Sequence, residues 1–243
     1  MTMETLFYEV GRHSESAQHD RSADREKHTM PTHLALRREH LNRLPDGLGD
    51  DDVQSVDSLV EHFISEFTEP GDVVFDPFAG FGTTLVVAER LGRLAFGIEV
   101  DPRRADYARS RLSRPERLIL GDSRDLQNLA LPEFDLSFSS PPYMARGHTE
   151  DPLTAYRLQG KGYEAYLDDL KNTYRQQARF MGPEARFVVE VQNLKNDGVT
   201  TTLAWDIAAE LSSIFHFLGE TVVTWDRDQY GFDHSYCLLY TRK

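Results

Sequence analysis

The chain has 243 residues, 40% of them hydrophobic, which suffices for one sizeable core and one α/β domain with decorations. Its single cysteine, Cys237, excludes an intrachain disulfide, and no apolar run approaches the roughly 18 residues of a membrane helix, so a soluble protein of a reducing cytoplasm is expected. The 40 acidic side chains against 27 basic ones give a formal charge of -13, which disfavours tight unspecific binding to polyanions but permits a local basic groove.

Residues 1–33 are expected to form a flexible polar arm, because "GRHSESAQHDRSADREKHTMPTH" at 11–33 has almost nothing to bury. A single domain over 34–243 follows. Leu34, Leu41 and Leu44 among charges suggest a short helix that stops near Pro45-Asp46-Gly47. In "SVDSLVEHFISEFT" the residues Val56, Leu59, Val60, Phe63, Ile64 and Phe67 share one helical face, giving a helix over 54–67.

Strand and helix then alternate. "DVVFD" (72–76), "LAFGIEV" (94–100), "RLILGD" (117–122) and "FDLSFS" (134–139) read as strands; 83–92 and 101–112 read as helices, the second started by Asp101 and Pro102. These segments make 72–126 a first half of the domain and 134–243 a second. A long helix over 163–180, a strand over 185–193 and a helix over 202–215 precede an antiparallel pair, "ETVVTWD" (220–226) and "SYCLLYT" (235–241). The expected fold is a seven-stranded, mostly parallel, Rossmann-like sheet with helices on both faces and a C-terminal antiparallel hairpin. Ligands of such sheets bind at the carboxyl ends of the strands.

The first such end is "DPFAGFGTT" (76–84). Gly80 and Gly82 allow a sharp turn close to a ligand, and Thr83 or Thr84 can cap the helix that follows. Glu99 closes the next strand, where an acid accepts hydrogen bonds from ribose hydroxyls, and Asp122 closes the third, where one accepts from an adenine amine. No lysine follows the glycines, so a phosphate-gripping loop is not expected. The fourth strand runs into "SSPPY" (139–143). Two prolines forbid further pairing and stiffen the segment, which serves a strand terminator and a rigid active-site strip equally.

"DPFAGFGTT" together with "SSPPY" resembles the S-adenosylmethionine-dependent amino-methyltransferases that act on exocyclic amines of nucleic-acid bases, over residues 53–243. The resemblance implies a methionine-holding turn at Asp76, Pro77, Phe78, Ala79, Gly80, Gly82 and Thr83, a ribose acid at Glu99, an adenine neighbour at Asp122, and a cofactor-enclosing segment that includes Gln54. Ser140, Pro141, Pro142 and Tyr143 become the catalytic strip: Ser140 Oγ and the Pro141 carbonyl accept from the amine, and Tyr143 stacks on a base taken out of its helix. Serine at the first position is typical of cytosine-N4 enzymes, which favours cytosine in DNA, as in restriction-modification. RNA or adenine-N6 methylation, and a catalytically silent cofactor-binding subunit, remain alternatives. A specificity partner or a homodimer fits the lack of a target-recognition domain. The longest insert, 144–162, offers Arg146, His148, Arg157 and Lys161 as phosphate contacts or as a solvated loop. Arg103, Arg104, Arg109 and Arg111 read as an exposed helix face, and Phe81 stands where small residues are usual. His13, His19, His28 and His33 are too scattered for a metal site, and none is expected.

Overall fold

The computed structural model describes residues 30–37, 44, 48, 55–196, 198–229 and 232–243. Gln54 and residues 1–29 of the expected arm lie outside the described residues. In chain order the elements are β1 (His33–Leu36), α1 (Asp57–Phe67), β2 (Val73–Asp76), α2 (Thr83–Arg90), β3 (Leu94–Glu99), α3 (Pro102–Arg111), β4 (Leu118–Leu120) and β5 (Phe134–Ser139). There follow α4 (Tyr163–Gln177), β6 (Met181–Val191), β7 (Leu194–Asn196), β8 (Val199–Thr201), α5 (Leu203–Ser212), β9 (Phe215–Gln229) and β10 (Phe232–Arg242).

One sheet of eight strands runs β1-β9-β10-β6-β5-β2-β3-β4. Only β10 is antiparallel to its neighbours, β6 and β9, so the mostly parallel sheet and the closing hairpin are as expected. The count is eight and not seven because residues 33–36 pair parallel to Val222–Trp225 at the sheet edge. The short helix expected over 34–44 is therefore a strand at its start, and residues 38–43 lie outside the described ones. Leu34 and Leu36 alternate inward against the core while His33 and Ala35 face out, a period of two that the wider spacing of leucines concealed. The hairpin β7–β8 was also unforeseen; it is a separate two-stranded sheet between β6 and α5.

Alternation along the central strands sorts side chains to two cores. Val73 and Phe75 of β2, with Phe187, Val189 and Val191 of β6, face α4 and α5; Val74 and Val188 face α1, α2 and α3. On α1 the side chains Leu59, Val60, Phe63 and Ile64 are at most 1% exposed, and each contributes about 1.5–3 kcal/mol of burial free energy. Covering both faces accounts for the apolar runs of β2 and β3 and for the burial of Ser137 and Ser139 between the apolar residues of β5.

The chain runs outward from β2 to β3 and β4, then returns to place β5 on the other side of β2. This is the switch point of the sheet, where adjacent loops diverge and leave a crevice. The parallel pairing Val74↔Leu136 and Phe75↔Ser137 brings Asp76 and the Ser139-Ser140 step to neighbouring carboxyl ends. Two motifs more than fifty residues apart in sequence thus meet at one edge.

Candidate active site

At the end of β2 the chain turns through Pro77–Phe81 before α2 begins. The Phe78 amide donates to Asp76 Oδ1 (2.9 Å), the Ala79 amide to the Ile98 carbonyl (2.8 Å) and the Gly80 amide to Glu99 Oε2 (2.8 Å). Gly80 and Gly82 take left-handed backbone, φ 53° and 84°. Their purposes differ. A Cβ at Gly80 would meet only the Phe78 carbonyl, at 3.9 Å, and would stand in open space; a Cβ at Gly82 would lie 2.9 Å from Ala108 Cβ. Gly82 therefore serves the close approach of α2 to α3 and does not line the cleft, contrary to expectation. The expected threonine cap is also corrected: Gly82 occupies the N-cap of α2 with no side-chain bond, and the Thr84 hydroxyl is bonded to Asp76. Asp101 caps α3 as expected, accepting from the Arg103 and Arg104 amides.

Asp76 and Glu99 are buried, 3% and 5% exposed. Burial pushes the Asp76 carboxyl up to about 7, against the lowering effect of the Phe78 amide and the Thr84 hydroxyl. Burial likewise raises Glu99, although its two oxygens accept from the Gly80 amide and, at 2.7 Å, the Asp101 amide, and Arg104 lies nearby. Two raised carboxyls facing one cleft suit a ligand that brings positive charge and hydroxyl groups. Asp122 differs. Partial burial pushes it up, but a two-pronged pairing with Arg124, with contacts of 2.6–3.1 Å, holds its carboxyl below the ordinary aspartate value. Arg124 also reaches Asp151 (3.1 Å), which ties the end of β4 to the 144–162 insert.

The segment after β5 is fixed by a ladder of tyrosine hydroxyls. Tyr174 meets Ser139 Oγ (2.8 Å), Tyr166 donates to the Pro142 carbonyl (2.9 Å) and Tyr156 to the Tyr143 carbonyl (3.1 Å). Tyr143 Oη donates to the Glu190 carbonyl (3.4 Å) and lies 3.2 Å from Ser140 Oγ. A phenol has one hydrogen; with it directed at Glu190, the Ser140 hydroxyl must donate to Tyr143, and its lone pairs stay available. Among the described residues no donor reaches the Pro141 carbonyl. The strip thus presents two acceptors on a backbone stiffened by prolines and pinned at successive carbonyls.

One cleft of about 350 Å³ joins these parts. Asp76, Pro77, Phe78, Ala79, Gly80 and Thr83 line it from the glycine turn, Glu99 and Asp122 from the next strand ends, and Ser140, Pro141, Pro142 and Tyr143 from the strip. Of the expected site residues within the described part of the chain, only Gly82 stands apart. The sequence did not disclose Ser55, whose hydroxyl is 2.5 Å from Glu190 Oε2, nor Ser123, bonded to the Pro77 carbonyl, nor Tyr156 and Asn196. The Tyr163, Tyr166 and Tyr174 spacing on the buried face of α4 was the one available signal for the ladder.

Several basic residues are placed differently from expectation. Arg104 lines the cleft over the Phe81 ring (5.5 Å), Arg109 binds the Leu118 carbonyl and Arg111 the Phe81 carbonyl, so only Arg103 of that set is largely exposed. Phe81 is itself a cleft wall, 5% exposed. Arg146 pairs with Glu164 and Asp206 and covers the Tyr163 ring; Arg157 donates to the Val100 carbonyl; His148 lines the cleft. Among the described residues no His, Cys, Asp and Glu group could hold a metal ion, and no helix is long and apolar enough to cross a membrane.

Residues 53–110 match a family described as DNA methylase. The chain is 46% identical over 59 residues to the Type II methyltransferase M2.DpnII of Streptococcus pneumoniae, which is 24% of this chain and 22% of the relative. It is 40% identical over 60 residues to the Type II methyltransferase M.BglII of Bacillus subtilis, 25% of this chain and 17% of the relative. The matched part thus spans about a fifth of those relatives' length. TrmN from Thermus thermophilus shares the fold, with a TM-score of 0.57 and 19% identity over 78% of this chain and 49% of the other. The matched segment runs from α1 to α3 and contains the glycine turn and Glu99, so the likeness to DNA methylases covers the part of the chain that builds the acid-lined side of the cleft.

Proposed function

We propose that the protein transfers a methyl group from S-adenosylmethionine to an exocyclic amine of a DNA base, with cytosine N4 as the acceptor atom. The observation that carries this reading is the single cleft in which the acid-lined glycine turn faces the Ser140–Tyr143 strip. S-adenosylmethionine supplies an electrophilic methyl group on a sulfonium. Its fit rests on the donor set: Asp76 and Glu99 are raised by burial and gain from an adjacent cation, and the open space at Gly80 admits an extended ligand against the backbone.

The chain's own part is to make a poor nucleophile attack. The amine lone pair of cytosine is delocalised into the ring. Ser140 Oγ and the Pro141 carbonyl, accepting from the two amine hydrogens, favour a pyramidal nitrogen whose lone pair forms the new N–C bond as the C–S pair returns to sulfur. One amine proton then leaves along the Ser140 bond toward water. Asp76 and Glu99 hold the amino-acid and ribose ends of the donor, and Asp122, oriented by Arg124, borders its adenine. The DNA methylase description of the matched family supports DNA as the polymer, and the matched Type II methyltransferases support methyl transfer as the reaction. Serine at position 140 supports cytosine over adenine.

The test is transfer of tritiated methyl to DNA, RNA and protein, followed by nucleoside chromatography. Label in N4-methyldeoxycytidine is the expected result. Label in N6-methyldeoxyadenosine overturns the base, label in RNA overturns the polymer, and no transfer to either nucleic acid leaves a silent subunit.

A further inference from the structure

The turn at residues 151–157 binds the strip through the Tyr156 hydroxyl, and it carries left-handed backbone at two residues that bear side chains. Ala155 and Tyr156 follow each other at φ 54° and 59° and are the only described non-glycine residues with positive φ. Side chains occupy such backbone where the surroundings over-determine it, and this clusters at functional sites. Here hydrogen bonds from within the turn and from neighbouring elements fix it. The Asp151 carbonyl accepts from the Thr154 amide (3.1 Å), the Thr154 hydroxyl (2.8 Å) and the Tyr156 amide (3.1 Å); Thr154 Oγ1 accepts from the Leu158 amide (3.2 Å). Asp151 is anchored to Arg124 and Arg157 to the Val100 carbonyl. What this construction delivers is one aromatic ring. Tyr156 lines the cleft, is 41% exposed, and its hydroxyl is tethered to the carbonyl of Tyr143, within the strip that presents the two amine acceptors.

We propose that the Tyr156 ring is a second aromatic wall of the target-base slot, against which the base stacks while its amine is held by Ser140 and Pro141. The proposal rests on the methyl-transfer reading above. A base brought out of its stack loses π-contacts that a flat side chain restores, and stacking places the ring without reading its sequence context. The alternative station for Tyr156 is the adenine of the donor. The tether of the ring itself favours the base slot: Asp151 and Arg157 anchor the turn on the Asp122 and Val100 side of the cleft, but the Tyr156 hydroxyl reaches across to the strip.

The test compares the full-length wild type with Tyr156→Ala and Tyr156→Phe on unmethylated genomic DNA, measuring KM for DNA, kcat, and S-adenosylmethionine affinity by calorimetry. Tyr156→Ala is expected to raise KM for DNA about 5- to 100-fold while donor affinity stays within about twofold, which also reports a folded cleft. Tyr156→Phe keeps the ring and is expected to return KM to within about threefold of wild type. Unchanged KM in Tyr156→Ala overturns the proposal, as does a loss confined to donor binding. A Tyr156→Phe defect equal to that of alanine overturns it too, because the tether and not the ring would then matter. Failure of the wild type to label DNA is a separate result, seen before any variant is made, and it overturns the methyl-transfer reading on which the proposal stands.

Discussion

The two sides of the cleft, assigned in the proposal above to the methyl donor and to the target base, are built by different physics. On the donor side, buried carboxylates are bound by main-chain amides that lie close in sequence or on adjacent strands: Asp76 by Phe78, Glu99 by Asp101 and Gly80. On the base side, main-chain carbonyls and serine hydroxyls are bound by tyrosines 13, 24 and 35 residues away. The first design needs a short motif. The second needs a whole packed helix and a strained turn to be in place. The matches to known proteins follow the same division, since the family match ends at residue 110, before the strip begins.

This contrast can be broken by substitutions that should affect one side and spare the other. The largest effect is expected from Ser140→Ala. On the proposed mechanism it removes an acceptor used as the amine becomes nucleophilic, so kcat should fall by about two orders of magnitude, roughly 2.7 kcal/mol, with donor affinity unchanged. Equal losses in kcat and donor binding, measured by single-turnover kinetics and calorimetry, would merge the two sides into one. Glu99→Ala is the converse. It should weaken S-adenosylmethionine binding by about 1.5–3 kcal/mol, toward the upper end because the Gly80 and Asp101 amides also lose their partner. Calorimetry on a folded variant with wild-type affinity would remove Glu99 from the donor site.

The same contrast explains what could be read from the sequence. The parallel core was legible because β2 and β3 are short apolar runs, β5 alternates apolar and polar residues, helical periodicity separates them, and Asp76, Gly80, Glu99 and Asp122 sit at or just after strand ends. The strip was legible as a motif, but not the reason it is rigid, because a hydrogen bond from Tyr166 to the Pro142 carbonyl leaves no pattern in either segment. Strand β1 was misread because four residues at a sheet edge carry too little periodicity to compete with leucines spaced like a helix. Hairpin β7–β8 was missed because three-residue strands of mixed polarity look like loop. Arg104 was misassigned because a charged helix face was taken as uniformly solvated, whereas the Phe81 ring draws that guanidinium to the cleft.

A pH measurement sharpens the donor side. With the folded Asp76 carboxyl raised to about 7 and the unfolded one near its ordinary value of 3.8, the folded protein keeps a proton that the unfolded chain has released. Stability contributed by this group is therefore full below the unfolded value and is lost as pH rises through about 7. Asp76→Asn keeps an acceptor for the Phe78 amide but cannot ionise, so it should be more stable than wild type at pH 8 by about 1–3 kcal/mol and near parity at pH 4. Urea denaturation at the two pH values checks this; an unchanged difference would place the raised carboxyl elsewhere. A cationic donor reverses the sense for binding. Affinity for S-adenosylmethionine should increase with pH up to about 7 and flatten above it, and Asp76→Asn should lose that slope.

The smallest expected effect is the one that separates the ladder from the ring. Tyr143 Oη receives the Ser140 hydrogen and passes its own to the Glu190 carbonyl, and burial raises the phenol's pKa, so it stays protonated and able to donate at any working pH. Tyr143→Phe keeps the aromatic face but releases the Ser140 hydroxyl to rotate, so that in part of the population its hydrogen points at the amine and clashes with the amine's own. The loss should be about 0.5–1.5 kcal/mol, roughly 2- to 12-fold, and should appear in kcat with KM for DNA little changed. Tyr143→Ala removes the face as well and should add about 1–3 kcal/mol in base binding, visible in KM. If the phenylalanine variant instead raises KM and leaves kcat alone, Tyr143 acts only as a stacking surface. Ser140 would then be oriented by the base itself, and the base side of the cleft would depend on its substrate for the order that the donor side builds from its own backbone.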